Sequence, residues 1–142
     1  MNSAASRKSL AVPRMSDINP QLRVLVVDDT VDNAEALGAL LKSMGCSTEI
    51  AFSGAQGVAA ASEFSPHLAI IDLEMPGMDG CEVARQLRAG NPQGSTRFVC
   101  VTGRGHPDDR RMCMDAGFDD FFTKPLALAS LTSLVAASTA TL

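Results

Sequence analysis

The stretch that decides the fold is I-I-D-L-E-M-P-G-M-D-G, residues 70–80. It continues a short aliphatic run, Leu68–Ile71, which is bounded by turn residues and is therefore typical of a fully buried strand. Asp72 follows at the point where that strand leaves the core, and Asp79 is placed to cap a new helix. A carboxylate at the end of a buried strand is costly unless its charge is needed there, so Asp72 is the first candidate for a functional group.

The same alternation of strand and helix patterns runs along the rest of the chain. The predicted strands are Leu22–Val27, Ser47–Phe52, Leu68–Ile71, Phe98–Val101 and Asp120–Thr123. A first helix is predicted where Ala34, Leu37, Leu41 and Met44 recur at helical spacing before Gly45. The other predicted helices run from about Ser53 to Phe64, Gly80 to Ala89, Pro107 to Ala116 and Leu126 to Ala137. This pattern predicts an α/β fold of the (βα)5 type, a doubly wound parallel sheet with helices on both faces.

Composition restricts the class of protein. The chain has 142 residues, of which 46% are hydrophobic, and a formal net charge of -4. This is enough chain for one domain with an aliphatic core. The acidic balance argues against a nucleic-acid surface, and no apolar run approaches the ~18 residues of a membrane span. We therefore expect neither nucleic acid nor membrane among its partners.

The polar N-terminal segment and the cysteines favour a cytoplasmic location. Residues 1–20 lack the apolar core of a signal peptide, so we expect a flexible tail there and one domain over residues 21–142. The cysteines show no zinc-site spacing and are expected to be buried thiols. They are Cys46, Cys81, Cys100 and Cys113. Unpaired cysteines without a secretion signal favour a reducing compartment.

Polar and charged residues end four of the predicted strands. Asp28 and Asp29 follow the first strand, Asp72 the third, Thr102 the fourth and Lys124 the fifth. In a parallel sheet these ends share one edge, where ligands bind. Two carboxylates about 5 Å apart repel by about 3 kcal/mol at an effective dielectric of 20, and a hard divalent cation removes that cost. Oxygen ligands suit Mg²⁺, whereas Zn²⁺ would need the His or Cys that these ends lack.

A carboxylate beside Mg²⁺ can also attack phosphorus. The product would be an aspartyl-phosphate, and the metal would neutralise charge on the transferring phosphoryl group. Lys124 and Thr102 have the right side chains to hold the remaining phosphoryl oxygens. A carboxylate is already ionised at pH 7, so no separate general base is needed.

Four motifs in this order resemble the receiver domain of two-component response regulators. They are the Asp28-Asp29 pair, D-L-E-M-P-G-M-D-G around Asp72, V-T-G at Thr102 and F-F-T-K-P at Lys124. The resemblance covers about Leu22 to Ala137, and the motifs are specific jointly although each alone is weak. It implies the flavodoxin-like or CheY-like version of the fold, with strand order 2-1-3-4-5.

The resemblance implies a phosphorelay role for Asp72. This residue would accept a phosphoryl group from a phosphohistidine on a sensor histidine kinase or a histidine phosphotransfer protein. Mg²⁺, or Mn²⁺ in its place, would be held by Asp29, Asp72 and the backbone carbonyl of Glu74, with Asp28 acting mostly through water. The chain would then be a signalling domain and not an enzyme, apart from self-catalysed phosphorylation and dephosphorylation.

Other family roles concern the response to phosphorylation. Lys124 would pair with the phosphoryl group, and the bond to Pro125 would be cis. Thr102 would move to hydrogen-bond the phosphoryl group, and Phe121 would swing inward. We hypothesise that both transmit phosphorylation to the face formed by residues 104–116, Phe118–Thr123 and the last helix.

Two positions and two alternative functions stay open. Glu74 and Arg104 lie where the family tunes phosphoryl lifetime, and they could form an ion pair across the site. The segment T-G-R-G-H-P-D-D-R-R followed by A-G-F-D most resembles receivers of hybrid sensor kinases or close single-domain relatives. One alternative is a phosphate sink or relay without an output partner. The other is an aspartate-based phosphatase in which Glu74 would be the acid/base.

Overall fold

The computed structural model describes residues 21–90, 94, 96–103 and 107–142. Strands and helices alternate along these ranges. The strands are β1 (Arg23–Val27), β2 (Ser47–Ala51), β3 (Leu68–Asp72), β4 (Arg97–Thr102) and β5 (Asp120–Thr123). The helices are α1 (Val31–Ser43), α2 (Gly54–Phe64), α3 (Gly80–Gly90), α4 (Pro107–Ala116) and α5 (Leu128–Thr139). The predicted alternation is confirmed.

The strands form one sheet in the order β2-β1-β3-β4-β5. Every neighbouring pair is parallel. The predicted order 2-1-3-4-5 is therefore confirmed, and all carboxyl ends of the strands lie at the same edge. The register pairs Asp72 of β3 with Val101 of β4, so the chain leaves these two strands side by side.

Successive strand residues point into two hydrophobic cores, one on each face of the sheet. Along β1, Val24 and Val26 belong to the core beneath α1 and α5, whereas Leu25 and Val27 belong to the core beneath α2, α3 and α4. All four of these side chains are at most 1% exposed. Burial on both faces explains why β1 reads as a continuous aliphatic run.

Helix starts agree with the capping residues expected from the sequence. The Ser53 side chain accepts a hydrogen bond from the backbone N–H of Gln56 at 3.1 Å. Asp79 Oδ1 accepts one from the backbone N–H of Glu82 at 3.0 Å. Each bond satisfies a donor that has no partner within its own helix.

Helix α5 starts later than expected. The sequence predicted its start at Leu126, but Ala127 is extended, with φ -67 and ψ 143, and the helix begins at Leu128. Leu126 is partly buried against the core beneath α1 and α5. Leu126, whose apolar side chain suggested a helical face, thus packs against the core from the segment that connects β5 to α5.

Arg88, on α3, contacts residues of β4 and of the turn that precedes β5. Its Nη2 donates to the carbonyl of Gly117 at 2.9 Å and to Asp119 Oδ2 at 3.0 Å. Its guanidinium carbon lies 4.1 Å from the centroid of the Phe98 ring. The same Asp119 oxygen accepts the backbone N–H of Phe98 at 2.7 Å. One cation therefore stabilises the start of β4 and the turn before β5.

Some expectations fall on other parts of the chain. The predicted tail over residues 1–20 and Arg104, with which the expected switching face begins, lie outside the described residues. All four cysteines are free and buried, as expected. No helix within the described ranges has both the length and the apolar character that crossing a bilayer requires.

Candidate functional site

Three carboxylates meet at the carboxyl edge of the sheet. Asp28, Asp29 and Asp72 each bring one oxygen within 4.8 Å of the others. Asp28 and Asp72 are only 8% and 6% exposed, and Asp29 is more open to solvent. The ends of adjacent strands β1 and β3 supply them, which is why residues far apart in sequence become neighbours.

The backbone around Asp28 fixes its carboxylate. Its N–H donates to the carbonyl of Ala51 at 3.1 Å, which extends the pairing of β1 with β2 by one residue. Its Oδ1 accepts the backbone N–H of Thr30 at 2.9 Å. The second oxygen, Oδ2, is thereby directed toward Asp72 and Lys124.

Lys124 joins two of the carboxylates. Its Nζ lies 3.2 Å from Asp72 Oδ2 and 3.3 Å from Asp28 Oδ2. Its backbone N–H donates to the carbonyl of Thr102 at 2.7 Å, so β5 sets the position of the side chain. The Lys124-Pro125 peptide bond is cis.

The electrostatics of the site favour an added cation. Burial raises the pKa of Asp72, and the Asp28 charge adds to this, whereas the Glu74 N–H and Lys124 oppose it. Burial alone would lower the pKa of Lys124, but attraction to Asp72 and Asp28 outweighs it and the pKa is raised. Lys124 therefore remains charged, while the Asp72 carboxylate is still incompletely compensated.

Glu74 contacts both Asp72 and the end of β4. Its backbone N–H donates to Asp72 Oδ1 at 3.1 Å. Its side-chain Oε1 accepts a hydrogen bond from Thr102 Oγ1 at 3.2 Å. Thr102 is fully buried, with 0% of its surface exposed. The sequence placed Glu74 near the site but did not predict its contact with Thr102. The expected ion pair with Arg104 stays a prediction, because Arg104 lies outside the described residues.

Phe121 lies beside the site, on β5. It is partly buried and packs against the core beneath α2, α3 and α4. The guanidinium carbon of Arg110, on α4, lies 5.7 Å from the centroid of the Phe121 ring. Sequence reasoning missed Arg110, because its position in an exposed run of charges carries no signal for an aromatic partner.

A groove opens next to Asp72, between α1 and the segment that follows β5. Its volume is about 540 Å³. Asp28, Asp72 and Lys124 form its polar end, and Leu37 and Leu126 form part of its apolar wall. Asp28 and Asp72 are thus accessible from the side of α1.

Fold and site together place the chain among doubly wound α/β domains that carry an acidic cluster at the carboxyl edge of the sheet. A family model described as response regulator receiver domain matches residues 24–136. The chain belongs to that family of signalling domains.

Individual curated proteins that resemble the chain are also signalling or regulatory proteins, as their names show. Hybrid signal transduction histidine kinase L of Dictyostelium discoideum is 32% identical over 119 residues, which is 80% of this chain and 7% of that protein. Transcriptional regulatory protein PrrA of Mycobacterium bovis is 38% identical over 116 residues, which is 81% of this chain and 48% of that protein. The chain thus spans half or less of these relatives.

The fold is confirmed by solved structures. One is the co-crystal structure of the Saccharomyces cerevisiae histidine phosphotransfer signaling protein Ypd1 with the receiver domain of its downstream response regulator Ssk1. The match has a TM-score of 0.79 and 28% identity, and it covers 85% of this chain and 90% of that chain. A CheY-like receiver domain protein of Methanospirillum hungatei matches with a TM-score of 0.78 and 24% identity, covering 85% of this chain and 95% of that chain.

Proposed function

We propose that residues 21–142 form a receiver module whose Asp72 accepts a phosphoryl group from a phosphohistidine. The observation that carries the proposal is the cluster of three carboxylates with the Lys124 ammonium 3.2 Å from Asp72 Oδ2. A nucleophilic carboxylate, acidic neighbours and a positioned cation are the groups that phosphoryl transfer to a carboxylate requires.

The donor set fits Mg²⁺, and Mn²⁺ can take its place. The clustered side chains offer only carboxylate oxygens, the ligands that hard divalent cations prefer. Asp29 and Asp72, with the backbone carbonyl of Glu74, would hold the ion, and Asp28 would act mostly through water. When bound, the ion supplies positive charge that neutralises the transferring phosphoryl group.

Three side chains have separate roles in the transfer of the phosphoryl group. An oxygen of Asp72 forms the new P–O bond as the P–N bond of the phosphohistidine breaks, and the bonding electron pair stays on the imidazole nitrogen. Lys124, already 3.2 Å from Asp72 Oδ2, pairs with a phosphoryl oxygen. The Thr102 hydroxyl hydrogen-bonds a second one. The chain promotes its own phosphorylation and dephosphorylation, and no other substrate is turned over.

The phosphodonor would be a sensor histidine kinase or a histidine phosphotransfer protein, in a reducing cytoplasm that suits the four free thiols. A neighbouring structure pairs a receiver domain with such a phosphotransfer protein. The groove beside Asp72 gives a donor access, and the apolar side chains of Val31, Leu40 and Leu128 are exposed. These features suit a protein partner more than nucleic acid or a membrane.

Phosphorylation would be transmitted by Thr102 and Phe121 to the face formed by α4, β5 and α5. Helix α4 buries only Cys113 and Ala116 among its described residues, so few contacts oppose its displacement. Backbone amide chemical shifts on this face should change after phosphorylation. Unchanged shifts there would favour the alternative of a phosphate sink or relay, which the hybrid kinase relative also suggests.

The decisive experiment is intact-mass analysis after incubation with acetyl phosphate and Mg²⁺. We expect the parent to gain one phosphoryl group, and Asp72→Asn or a chelated sample to gain none. A gain that survives Asp72→Asn would mean that another residue is the nucleophile. Sustained turnover of a phosphomonoester would instead identify an aspartate-based phosphatase with Glu74 as acid/base.

A further inference from the structure

The side chain of Glu74 forms a contact that the transfer chemistry does not require. Its Oε1 accepts the hydrogen bond of Thr102 Oγ1 at 3.2 Å. Thr102 is 0% exposed, whereas Glu74 is exposed. Losing an acceptor is costly for a buried hydroxyl, so this contact helps to hold Thr102 in its position.

The backbone directs Glu74 toward Thr102. Leu73 and Met75, on either side of it, are 3% and 7% exposed and anchor the segment in the core. The Glu74 N–H is also bonded to Asp72 Oδ1. Asp72 pairs with Val101 in the sheet, so the residues that follow it lie beside the end of β4. Glu74 thus lies between the phosphoacceptor and Thr102 and contacts both.

We propose that the Glu74 carboxylate is a latch that holds the Thr102 hydroxyl in the unphosphorylated arrangement, so that a phosphoryl group on Asp72 must displace Glu74 to engage Thr102. The inference rests on the proposed function. It assigns Glu74 a positioning role that opposes switching of Thr102, in addition to any influence on phosphoryl lifetime.

The latch works by competition for one hydroxyl proton. Thr102 Oγ1 has a single O–H, which either donates to Glu74 Oε1 or turns toward a phosphoryl oxygen. The latch therefore stabilises only the unphosphorylated state, and its removal shifts the equilibrium toward the switched state. The negative charge of Glu74 also repels an incoming anion, and a test must separate this charge effect from the hydrogen bond.

Three variants separate the two effects. Glu74→Gln removes the charge but keeps a carbonyl oxygen that can accept from Thr102. Glu74→Ala removes both the charge and the acceptor. Thr102→Val removes the hydroxyl at nearly constant side-chain volume, and combining it with each Glu74 variant completes a double-mutant cycle. All of these variants retain the backbone N–H and carbonyl of residue 74.

The probe is beryllofluoride, a phosphoryl analogue, titrated into the Mg²⁺-loaded protein while the Thr102 methyl resonance is followed by NMR. We expect Glu74→Gln to raise the affinity about 2-fold and Glu74→Ala about 5- to 10-fold. In the Thr102→Val background the Ala and Gln variants should have equal affinities, here followed by amide resonances. In the probe-free Glu74→Ala protein, the Thr102 methyl resonance should shift toward its beryllofluoride-bound position.

The possible failures are distinguishable. A parent protein that does not bind beryllofluoride would overturn the proposed function and the latch with it. A parent that binds, with Ala and Gln variants of equal affinity in both backgrounds, would leave the function standing and reduce Glu74 to a charge effect. Weaker binding by Glu74→Ala than by the parent would show that Glu74 assists the switch, which is the opposite of a latch.

Discussion

Replacing Asp29 by Asn should make the metal-free protein more stable and should also remove the stabilisation by Mg²⁺. Asp29 belongs to a cluster in which one oxygen of each carboxylate lies within 4.8 Å of the others. Lys124 pairs with the other two members, Asp28 and Asp72, at 3.3 and 3.2 Å. Asp29 therefore adds repulsion that Lys124 offsets only partly.

The magnitude follows from these distances. Two unit charges at the 4.8 Å limit repel by about 3.5 kcal/mol at an effective dielectric of 20, and Asp29 takes part in two such pairs. The net effect is smaller than this sum, because Asp29 is partly solvated and salt screens exposed charges. We expect a net gain of about 1 to 2 kcal/mol in the free energy of unfolding, or roughly 3 to 8 °C in Tm.

The assay is urea unfolding with EDTA and, in parallel, with Mg²⁺. An ion that binds only the folded state at ten times its Kd stabilises the parent by about 1.4 kcal/mol. The side-chain amide of the Asp29→Asn variant would be a neutral and weaker ligand, so the increment in the variant should be close to zero. The variant should thus be more stable than the parent in EDTA and lose that advantage in Mg²⁺.

Glu35→Gln is the matched control, since Glu35 is exposed on α1 and its replacement changes the net charge equally. It should leave both measurements nearly unchanged. If Asp29→Asn destabilises the metal-free protein, repulsion within the cluster is not the dominant effect and the reasoning fails. An undiminished Mg²⁺ increment would exclude Asp29 as a ligand.

Three further predictions concern the rest of the domain. Arg88→Met removes the contacts of α3 to β4 and to the turn before β5, and it should lower the free energy of unfolding, measured with urea, by about 2 to 3 kcal/mol. Arg85→Met is the control: Arg85 forms an exposed 3.7 Å ion pair with Glu82, and its replacement should change that free energy by under about 0.5 kcal/mol. Gly80→Ala would place a Cβ in collision with the carbonyl oxygen of Asp72 and should cost about 2 to 3 kcal/mol in urea unfolding, whereas Gly90→Ala meets nothing within 4 Å and should be neutral or slightly stabilising. Because burial raises the pKa of Asp72, the folded parent holds that proton to higher pH than the unfolded chain does. Its stability in EDTA should therefore fall relative to that of Asp72→Asn as pH rises above about 4, and urea midpoints that stay parallel would contradict this.

The sequence predicted which residues lie at the strand ends better than it predicted the side-chain contacts among those residues. The two strands that deliver the carboxylates are short, aliphatic and end on an acidic residue, as at Val27-Asp28 and Ile71-Asp72. Hydrophobic periodicity therefore located these residues, and the parallel topology brought the carboxylates together. The helix bounds were less certain at α5, because Leu126 has the apolar character of a helical face but packs in an extended segment.

Side-chain pairs at the site could not be derived in the same way. The Thr102–Glu74 bond depends on the register of β3 against β4, which pairs Asp72 with Val101. No local pattern in the sequence encodes that register. Arg110 beside Phe121 depends on the rotation of α4 about its axis, and α4 has too few apolar residues to specify that rotation.

The two sides of the site differ in rigidity, and this difference explains how a local event could have a directed effect. After β3, the N–H of Gly80 donates to the carbonyl of Leu73 at 3.1 Å, and a side chain at Gly80 would collide with the backbone of Asp72. The Asp72 side is therefore closely packed. After β4, in contrast, α4 buries only two described residues of ten. The segment after β3 is closely packed, whereas α4 is weakly anchored. If charge is added at Asp72, the resulting displacement should therefore occur at α4.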